Sequence, residues 1–182
     1  MEYVDIYDRD KKNTGIRVPR RGYFLHENQY ILIVICLVER DDGRFLITRR
    51  TMDKHWAAGW WEAPGGGVQA GETSWQAVVR ETREETGLDI SGASGGLIYT
   101  YFRENLDQGD NYFVDIYHYH MDFDVKDVVF NPREVMAFQL MTWDEMTRLN
   151  GQGVFLHYDR LKEALEQEAR LGVNPGCITR IE

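Results

Sequence analysis

The sequence is poor in the features that define disulfide scaffolds and membrane spans. Its 182 residues include two cysteines and four prolines, and no apolar run approaches the about 20 residues that a transmembrane helix requires. Cys36 and Cys177 lie far apart and outside any Cys/His cluster of zinc spacing, so we expect neither disulfides nor a cysteine-based zinc site. Residues 1–8 contain no basic segment followed by an apolar stretch, which predicts no secretory signal and a cytoplasmic protein.

Basic residues are also scarce. The chain has 21 Lys and Arg against 30 Asp and Glu, so no basic patch is evident and a nucleic-acid polymer is not an expected partner. To bind an anionic small molecule, this acidic chain needs a region of positive electrostatic potential. A bound divalent cation would supply it. Hydrophobic residues at 43% and charged residues at 28% predict a soluble globular chain with no membrane partner. A homodimer is the default expectation if the protein forms an oligomer.

A strand pattern is clearest in residues 30–50. The run 30–38 is apolar and β-branched, which predicts a strand covered on both faces. Asp41, Asp42 and Gly43 form a turn signal, and residues 44–50 alternate well enough to be the returning strand of a β-hairpin.

The rest of the chain mixes strands with helices. Residues 1–28 are polar and contain Gly15, Pro19 and Gly22, which predicts an irregular or short-stranded N-terminal arm packing on one domain of residues 29–182. This mixture of elements predicts an α+β or α/β protein with layered elements. Strands are predicted at 97–102, 112–123 and 135–141, and helices at 73–86, 142–149 and 159–171.

The helix at 73–86 gathers three glutamates on one face. Thr73 and Gln76 form a capping-box pattern, and Gly87 stands where a C-cap glycine belongs. At about 100° per residue, Glu84 and Glu85 fall on either side of Glu81, within a sector roughly 100° wide. The adjoining sector is expected to pack on the sheet and contains Trp75, Val78, Val79, Thr82 and Thr86.

Two interpretations of these glutamates are open. A charge run on a helix is usually a solvated surface. However, Glu81 and Glu85 are like charges four residues apart, and only Arg80 and Arg83 are near enough to compensate. A hard cation such as Mg²⁺ or Mn²⁺, held by carboxylate oxygens, explains the cluster more easily. The glycines at 65–67 would let the backbone approach the ion or a phosphate closely.

This stretch resembles the signature of the Nudix family, GX5EX7REUXEEXGU, in which U is aliphatic. Thr82 replaces the usual aliphatic residue, which is expected to weaken packing slightly and leave the chemistry unchanged. Residues 60–66 also resemble the strand and loop that precede the signature, and the resemblance covers about residues 29–150. The matching positions are Gly66, Glu72, Arg80, Glu81, Glu84, Glu85, Gly87 and Leu88.

The resemblance implies a Nudix fold, an α/β/α sandwich around a mixed β-sheet. It also implies a Mg²⁺-dependent pyrophosphohydrolase, with Mn²⁺ as a substitute, acting on a nucleoside diphosphate linked to another group or on a similar diphosphate. By this resemblance Glu81, Glu84 and Glu85, with the Gly66 carbonyl, are expected metal ligands. Glu85 and Arg80 are expected among the catalytic groups, and Glu72 with Arg80 is expected to orient the loop and the glutamates.

Residues outside the signature complete the expected site. Nudix proteins often recruit another acidic residue from a later loop, and Glu134 is the candidate here, although an exposed loop glutamate is an equal alternative. Arg50, at the end of the second strand of the hairpin, could bind a substrate phosphate, against the commoner case of a solvated strand-end arginine. His118 and His120 alternate with tyrosines on a strand and are interpreted as structural.

Two other functions are weighed. Residues 5–15 resemble the leader of Nudix proteins related to isopentenyl-diphosphate isomerase, but that enzyme uses a cysteine in the loop before the signature. Residues 63–66 contain none, and Cys36 lies in a predicted buried strand, so isomerase activity is not expected. A non-catalytic Nudix ligand-binding module is the third possibility, and the intact acidic cluster favours catalysis over it. The substrate itself is left open.

Overall fold

The computed structural model describes residues 2–174 and 176–181. The helices are α1 (Ser74–Thr86), α2 (Trp143–Gly151) and α3 (Tyr158–Leu171), with a 3-10 turn at Val125–Asp127. Within the described ranges, no helix combines the length and apolarity needed to cross a membrane. The strands are β1 (Tyr3–Tyr7), β2 (Asn13–Pro19), β3 (Ile31–Glu39), β4 (Phe45–Arg50), β5 (Trp61–Glu62), β6 (Gly65–Gly67), β7 (Ser94–Arg103), β8 (Tyr112–His120), β9 (Val135–Met141) and β10 (Thr179–Arg180).

An open mixed sheet forms the centre of the fold. Its strand order is β10-β7-β8-β3-β4-β5, with β6 paired to β3 and β9 paired to β4. The central pair β3 and β8 is parallel from Ile31 opposite Tyr112 to Glu39 opposite His120, whereas β7 is antiparallel to β8. The sheet therefore combines both pairing modes, as the Nudix resemblance implied.

The predicted hairpin of β3 and β4 opens soon after its turn. The two strands pair at Glu39 and Phe45, next to the turn, and then diverge. Beyond that point β6 takes the place beside β3, with Gly66 opposite Val34, and β4 pairs with β9 instead. This divergence brings the glycine loop against β3 and the start of β9 beside the end of β4.

The two faces of β3 bury separate cores. On one face Val34 and Cys36 pack with Val78 of α1. On the other face Ile35 and Leu37 pack in the cluster that includes residues of α2 and α3. The continuous apolar run of β3 follows from this burial on both sides. Helix layers on both faces confirm the predicted α/β/α arrangement in an α+β fold.

Local signals place the ends of α1. The Thr73 hydroxyl accepts from the Gln76 N–H at 3.2 Å, the Gln76 side chain accepts from the Thr73 N–H at 2.9 Å, and Gly87 ends the helix with a φ of 77°. Trp75 was expected to pack on the sheet, and this was wrong, because its side chain is 47% exposed. It lies in the first turn, ahead of the turns through which Val78 and Thr82 are buried.

Residues 3–19 form a separate two-stranded sheet. Strands β1 and β2 are antiparallel and enclose a small apolar cluster with Leu25. Asp5, buried on β1, accepts hydrogen bonds from Asn13 and Arg17 of β2, each at 3.0 Å, and from the Gly71 N–H at 2.7 Å. The predicted N-terminal arm therefore contains strands, and Asp5 joins it to the loop that leads into α1.

Candidate active site

A cavity of about 440 Å³ lies where the glycine loop, α1 and the N-terminal sheet meet. It brings together residues from distant segments of the chain, from Glu2 to Glu134. Of the residues predicted for the site, all but Glu72 line this cavity: Arg50, Gly66, Arg80, Glu81, Glu84, Glu85 and Glu134. Lys54 and Arg20, which sequence reasoning did not single out, also line it.

The Arg80 side chain holds the acidic residues in register. Its Nε donates to Glu72 Oε1 at 2.8 Å and its Nη2 donates to Glu72 Oε2 at 2.9 Å. Nη2 also reaches the Gly67 carbonyl at 3.0 Å, and Nη1 donates to Glu81 at 2.7 Å and Glu84 at 3.3 Å. Arg80 therefore links the loop before the helix to two of the three clustered glutamates, the arrangement that a planar guanidinium suits.

The ionised form of Glu72 is stabilised by this arrangement. Burial opposes its charge, but the hydrogen bonds from Arg80 and from the Gln69 N–H outweigh burial and hold the pKa of Glu72 below its usual range. The hydrogen bond to Glu72 is also the main reason that the pKa of Arg80 is raised, so both partners keep their charge. Glu72 lies behind Arg80 and not in the cavity wall, in keeping with a supporting position.

The surroundings of Glu81 and Glu85 disfavour the negative charge of both carboxylates. Burial raises the pKa of Glu85 well above its usual value, and the negative charges of Glu62 and Glu81 raise it further, against one hydrogen bond from the Gly65 N–H at 3.3 Å. Burial also raises the pKa of Glu81, with Arg80 opposing the change. Buried carboxylates crowded in this way favour a proton or a cation among them.

The donor set fits a hard divalent cation. Glu85 is buried and the side chain of Glu81 is 12% exposed, whereas the side chain of Glu84 is 54% exposed and faces the same cavity. A Cβ added at Gly66 would lie 2.5 Å from the Glu81 carboxyl carbon, so the absence of a side chain there lets the backbone reach the carboxylate. Carboxylate and backbone oxygens are the ligands that Mg²⁺ and Mn²⁺ take.

Arg50 has a partner inside the protein. Its Nη1 donates to both Glu62 oxygens at 2.8 and 3.0 Å, and its Nη2 donates to the Trp56 carbonyl at 3.2 Å. The side chains of Arg50 and Glu62 are only 19% and 16% exposed. Burial raises the pKa of Glu62, and Arg50 opposes this. Sequence reasoning missed Glu62, because its position in a strand of two residues carries no pattern of its own.

Glu134 reaches the cavity from the loop before β9. Its carboxylate forms an ion pair with Lys54, and its side chain is 45% exposed. These residues are 80 positions apart in the chain. The pairing of β4 with β9 brings them together, and no local sequence signal could have identified Lys54.

The model of the family described as NUDIX domain matches residues 29–162. The chain belongs to the Nudix family. An uncharacterised Nudix hydrolase of Listeria monocytogenes is 29% identical over 161 residues, covering 87% of this chain and 90% of the relative. An isopentenyl-diphosphate Delta-isomerase of Salmonella heidelberg is 31% identical over 91 residues, and this chain spans half of that enzyme.

Solved structures share the Nudix fold. A crystal structure of a Deinococcus radiodurans protein superposes with a TM-score of 0.71 at 20% identity, covering 91% of this chain and 98% of that chain. The Ap4A hydrolase of C. elegans, solved as a binary complex, superposes with a TM-score of 0.59 at 19% identity, covering 77% of this chain and 96% of that chain. At such identities the likeness shows the fold alone.

Family membership confirms the resemblance found in the sequence and, at the level of the family, a hydrolase acting on phosphoanhydride bonds. The partial match to the isomerase is consistent with the resemblance of residues 5–15 to that branch. Cys36 is completely buried, and burial raises the pKa of its thiol to about 12, so it offers no reactive group to the Nudix cavity. Thr82 stands at a position of the Nudix signature that is usually aliphatic, and it is buried on α1.

Proposed function

We propose that this Nudix protein is a Mg²⁺-dependent pyrophosphohydrolase that cleaves the phosphoanhydride bond of a nucleoside diphosphate linked to another group, or of a similar diphosphate. Mn²⁺ is the expected substitute. The observation that carries the proposal is a pair of carboxylates, the buried Glu85 and the largely buried Glu81, whose pKa values are raised by burial beside the exposed Glu84. Such a cluster gains stability from a bound cation.

Glu81, Glu84 and Glu85, with the backbone at Gly66, would hold the cation in this proposal. When bound, a divalent ion polarises a phosphoryl oxygen and lowers the pKa of a coordinated water. The rest of the task falls to the protein's own groups. Arg80 and Glu72 keep the ligands in place through their paired hydrogen bonds, which makes both positioning residues in this assignment.

Glu134 and the cavity cations are assigned to the substrate. Glu134 is the proposed catalytic base, because it faces the cavity and its carboxylate is solvent accessible. Lys54 and Arg20 line the same cavity and supply positive charge for a diphosphate in a chain of net charge -9. Arg50 is proposed to add to this field while bound to Glu62. A cytoplasmic location and a homodimer remain proposals from composition and from the commonest form of soluble oligomers.

The test is hydrolysis of a panel of diphosphates by purified protein with Mg²⁺ or Mn²⁺, with the phosphorylated products separated by chromatography. The panel contains sugar nucleotides, dinucleoside polyphosphates, oxidised nucleotides and isopentenyl diphosphate. Glu84→Gln and Glu85→Gln are expected to reduce hydrolysis to background, whereas Glu166→Gln, which changes an exposed glutamate on α3, should retain it. Full activity in both cavity variants would exclude these residues as ligands, and conversion of isopentenyl diphosphate to its allylic isomer would replace hydrolysis with isomerisation.

A further inference from the structure

A second group of metal-binding side chains lies at the end of the β3 and β8 pair. We propose that Glu39, His118 and His120 form a site for a transition-metal cation of the Zn²⁺ class. One ligand atom from each residue lies within 4.8 Å of the other two. None of these residues lines the Nudix cavity, so the site is separate from the acidic cluster on α1.

The sheet register creates this group. Glu39 and His120 are paired across the parallel strands, and His118 precedes His120 by two residues, so its side chain points to the same face of the sheet. That face is covered by α3, because His118 contacts Glu168 of this helix. The site is therefore on the opposite side of the sheet from α1, whose residues pack with the other face of β3.

The ligand atoms lie close to the spacing of a small tetrahedral site. His118 Nε2 lies 2.9 Å from Glu39 Oε2, and His120 Nδ1 lies 3.6 Å from the same oxygen. Zinc bonds to nitrogen and oxygen of about 2.1 Å place neighbouring tetrahedral ligands about 3.4 Å apart, so the His120 separation fits as it stands and the His118 separation would lengthen by about 0.5 Å on binding. The two imidazole centroids are 4.4 Å apart, so both rings border the same space.

The contacts of His118 suit a bound cation. A neutral imidazole donates from only one of its nitrogens. His118 nevertheless has a carboxylate at each nitrogen, with Glu168 Oε2 2.7 Å from Nδ1 and Glu39 Oε2 2.9 Å from Nε2. When Nδ1–H of a neutral His118 donates to Glu168, the Nε2 lone pair faces a Glu39 oxygen, and a cation bound by both atoms would remove that repulsion.

All three side chains can contribute to one metal ion. His120 Nδ1 approaches the same Glu39 oxygen as His118 does, at 3.6 Å. Glu168 then orients the His118 ring through its contact with Nδ1, as carboxylates commonly do for metal-binding histidines. The histidines interpreted from the sequence as structural thereby become ligands.

The chemistry of the two sites separates their ions. Imidazole nitrogens favour Zn²⁺, Ni²⁺ and Cu²⁺, whereas the carboxylates of the Nudix cavity favour Mg²⁺ and Mn²⁺. His118 is buried but His120 is exposed, which gives an ion access from solvent and leaves a position for water. A bound ion would cross-link the ends of β3 and β8, and through Glu168 it would connect them to α3.

Titration with Co²⁺ in excess Mg²⁺, which fills the all-oxygen site, tests this proposal. Strong visible absorption of four-coordinate Co²⁺ is expected at one ion per chain, and added Zn²⁺ should displace it. His120→Ala and Glu39→Gln should abolish the absorption. Glu168→Gln should weaken binding about 10- to 100-fold by removing the orienting carboxylate. His26→Ala, which removes another exposed histidine, should have no effect.

Two outcomes would overturn the proposal. The wild-type protein could show no such absorption. Alternatively, the absorption could persist in both His120→Ala and Glu39→Gln. Glu85→Gln serves as a test of independence from the Nudix cavity, because it should lose hydrolysis while keeping the Co²⁺ absorption. As a second readout, Zn²⁺ should raise the unfolding temperature of the wild type and not that of His120→Ala.

Discussion

Arg80 and Glu72 are joined by two parallel hydrogen bonds, at 2.8 and 2.9 Å, between the guanidinium edge and the carboxylate. The remaining terminal nitrogen of Arg80 reaches Glu81 at 2.7 Å. A single side chain thus connects the loop that leads into α1 with a carboxylate of the proposed metal site. Its geometry depends on a planar fork of donors, which lysine lacks.

Arg80→Lys is therefore expected to lower kcat by about 100-fold, because displaced ligands lose the reactive geometry. Steady-state kinetics at saturating Mg²⁺ would measure the change. Arg83→Lys is the matched control, since Arg83 lies on the same helix, is exposed and pairs with Asp89. Equal kcat values for the two variants would contradict a positioning role for Arg80.

The adjacent glycines should respond differently to alanine. At Gly66 a Cβ would meet the end of the Glu81 side chain at 2.5 Å, so we expect the fold to survive while the Mg²⁺ concentration for half-maximal activity rises about 10-fold or more. At Gly65 a Cβ would meet the Val34 carbonyl at 2.2 Å, so Gly65→Ala should destabilise the β3 and β6 pairing. Thermal unfolding and metal titration of both variants distinguish the two effects, and a normal metal response in Gly66→Ala contradicts the prediction.

Glu134→Gln tests the proposed base. Loss of a general base should lower kcat by about 10²- to 10⁴-fold, with little change in KM. Asp107→Asn, which changes another exposed loop carboxylate, is the control and should keep the wild-type rate. An unchanged kcat in Glu134→Gln would establish the alternative already present in the sequence, a solvated loop glutamate.

Variants of the Arg50 and Glu62 pair can distinguish a structural role of Arg50 from a role in substrate binding. Arg50→Met leaves Glu62 without its partner in a largely buried position, which should cost about 3 to 5 kcal/mol in the free energy of unfolding. Arg50→Met combined with Glu62→Gln should recover most of this loss in urea denaturation. If Arg50 also binds substrate, the double variant keeps a raised KM. A stable single variant would show that the pair contributes little.

The decrease in the free energy of unfolding at acidic pH should depend on Asp5. Burial disfavours its charge, but hydrogen bonds from Gly71, Asn13 and Arg17 outweigh burial and hold its pKa below the usual range. The unfolded state therefore binds the proton more readily, so stability from this group is present above the unfolded pKa and is lost as pH falls through the folded pKa.

Asp5→Asn should therefore lower stability at neutral pH by about 1 to 3 kcal/mol and lessen the decline towards acid. Urea denaturation at several pH values would measure both. Asp10→Asn is the control, since Asp10 is exposed and pairs only with Lys12 at 3.3 Å. A parallel pH curve for Asp5→Asn and the wild type would contradict the prediction.

Several elements of this protein could be predicted from its sequence because they depend on local interactions. The cap at Thr73 depends on Gln76, three residues away, and the C-cap depends on a glycine that tolerates positive φ. The helical period alone placed Glu81, Glu84 and Glu85 on one face, and all of them line one cavity. Strand β9 was predicted at the residues where it occurs, because its apolar run ends at the capping residue of the next helix.

Tertiary structure decided which distant residues meet those local elements. The divergence of β4 from β3 placed Glu134 against Lys54. The short strand β5 placed Glu62 close enough to Glu85 to raise the pKa of the latter, and the β3 and β8 register placed Glu39 beside two histidines. Such contacts depend on the order and register of strands far apart in the chain, which no pattern within one segment specifies. Spacing along one helix determined the proposed ligands, whereas packing determined their burial, their charges and their partners.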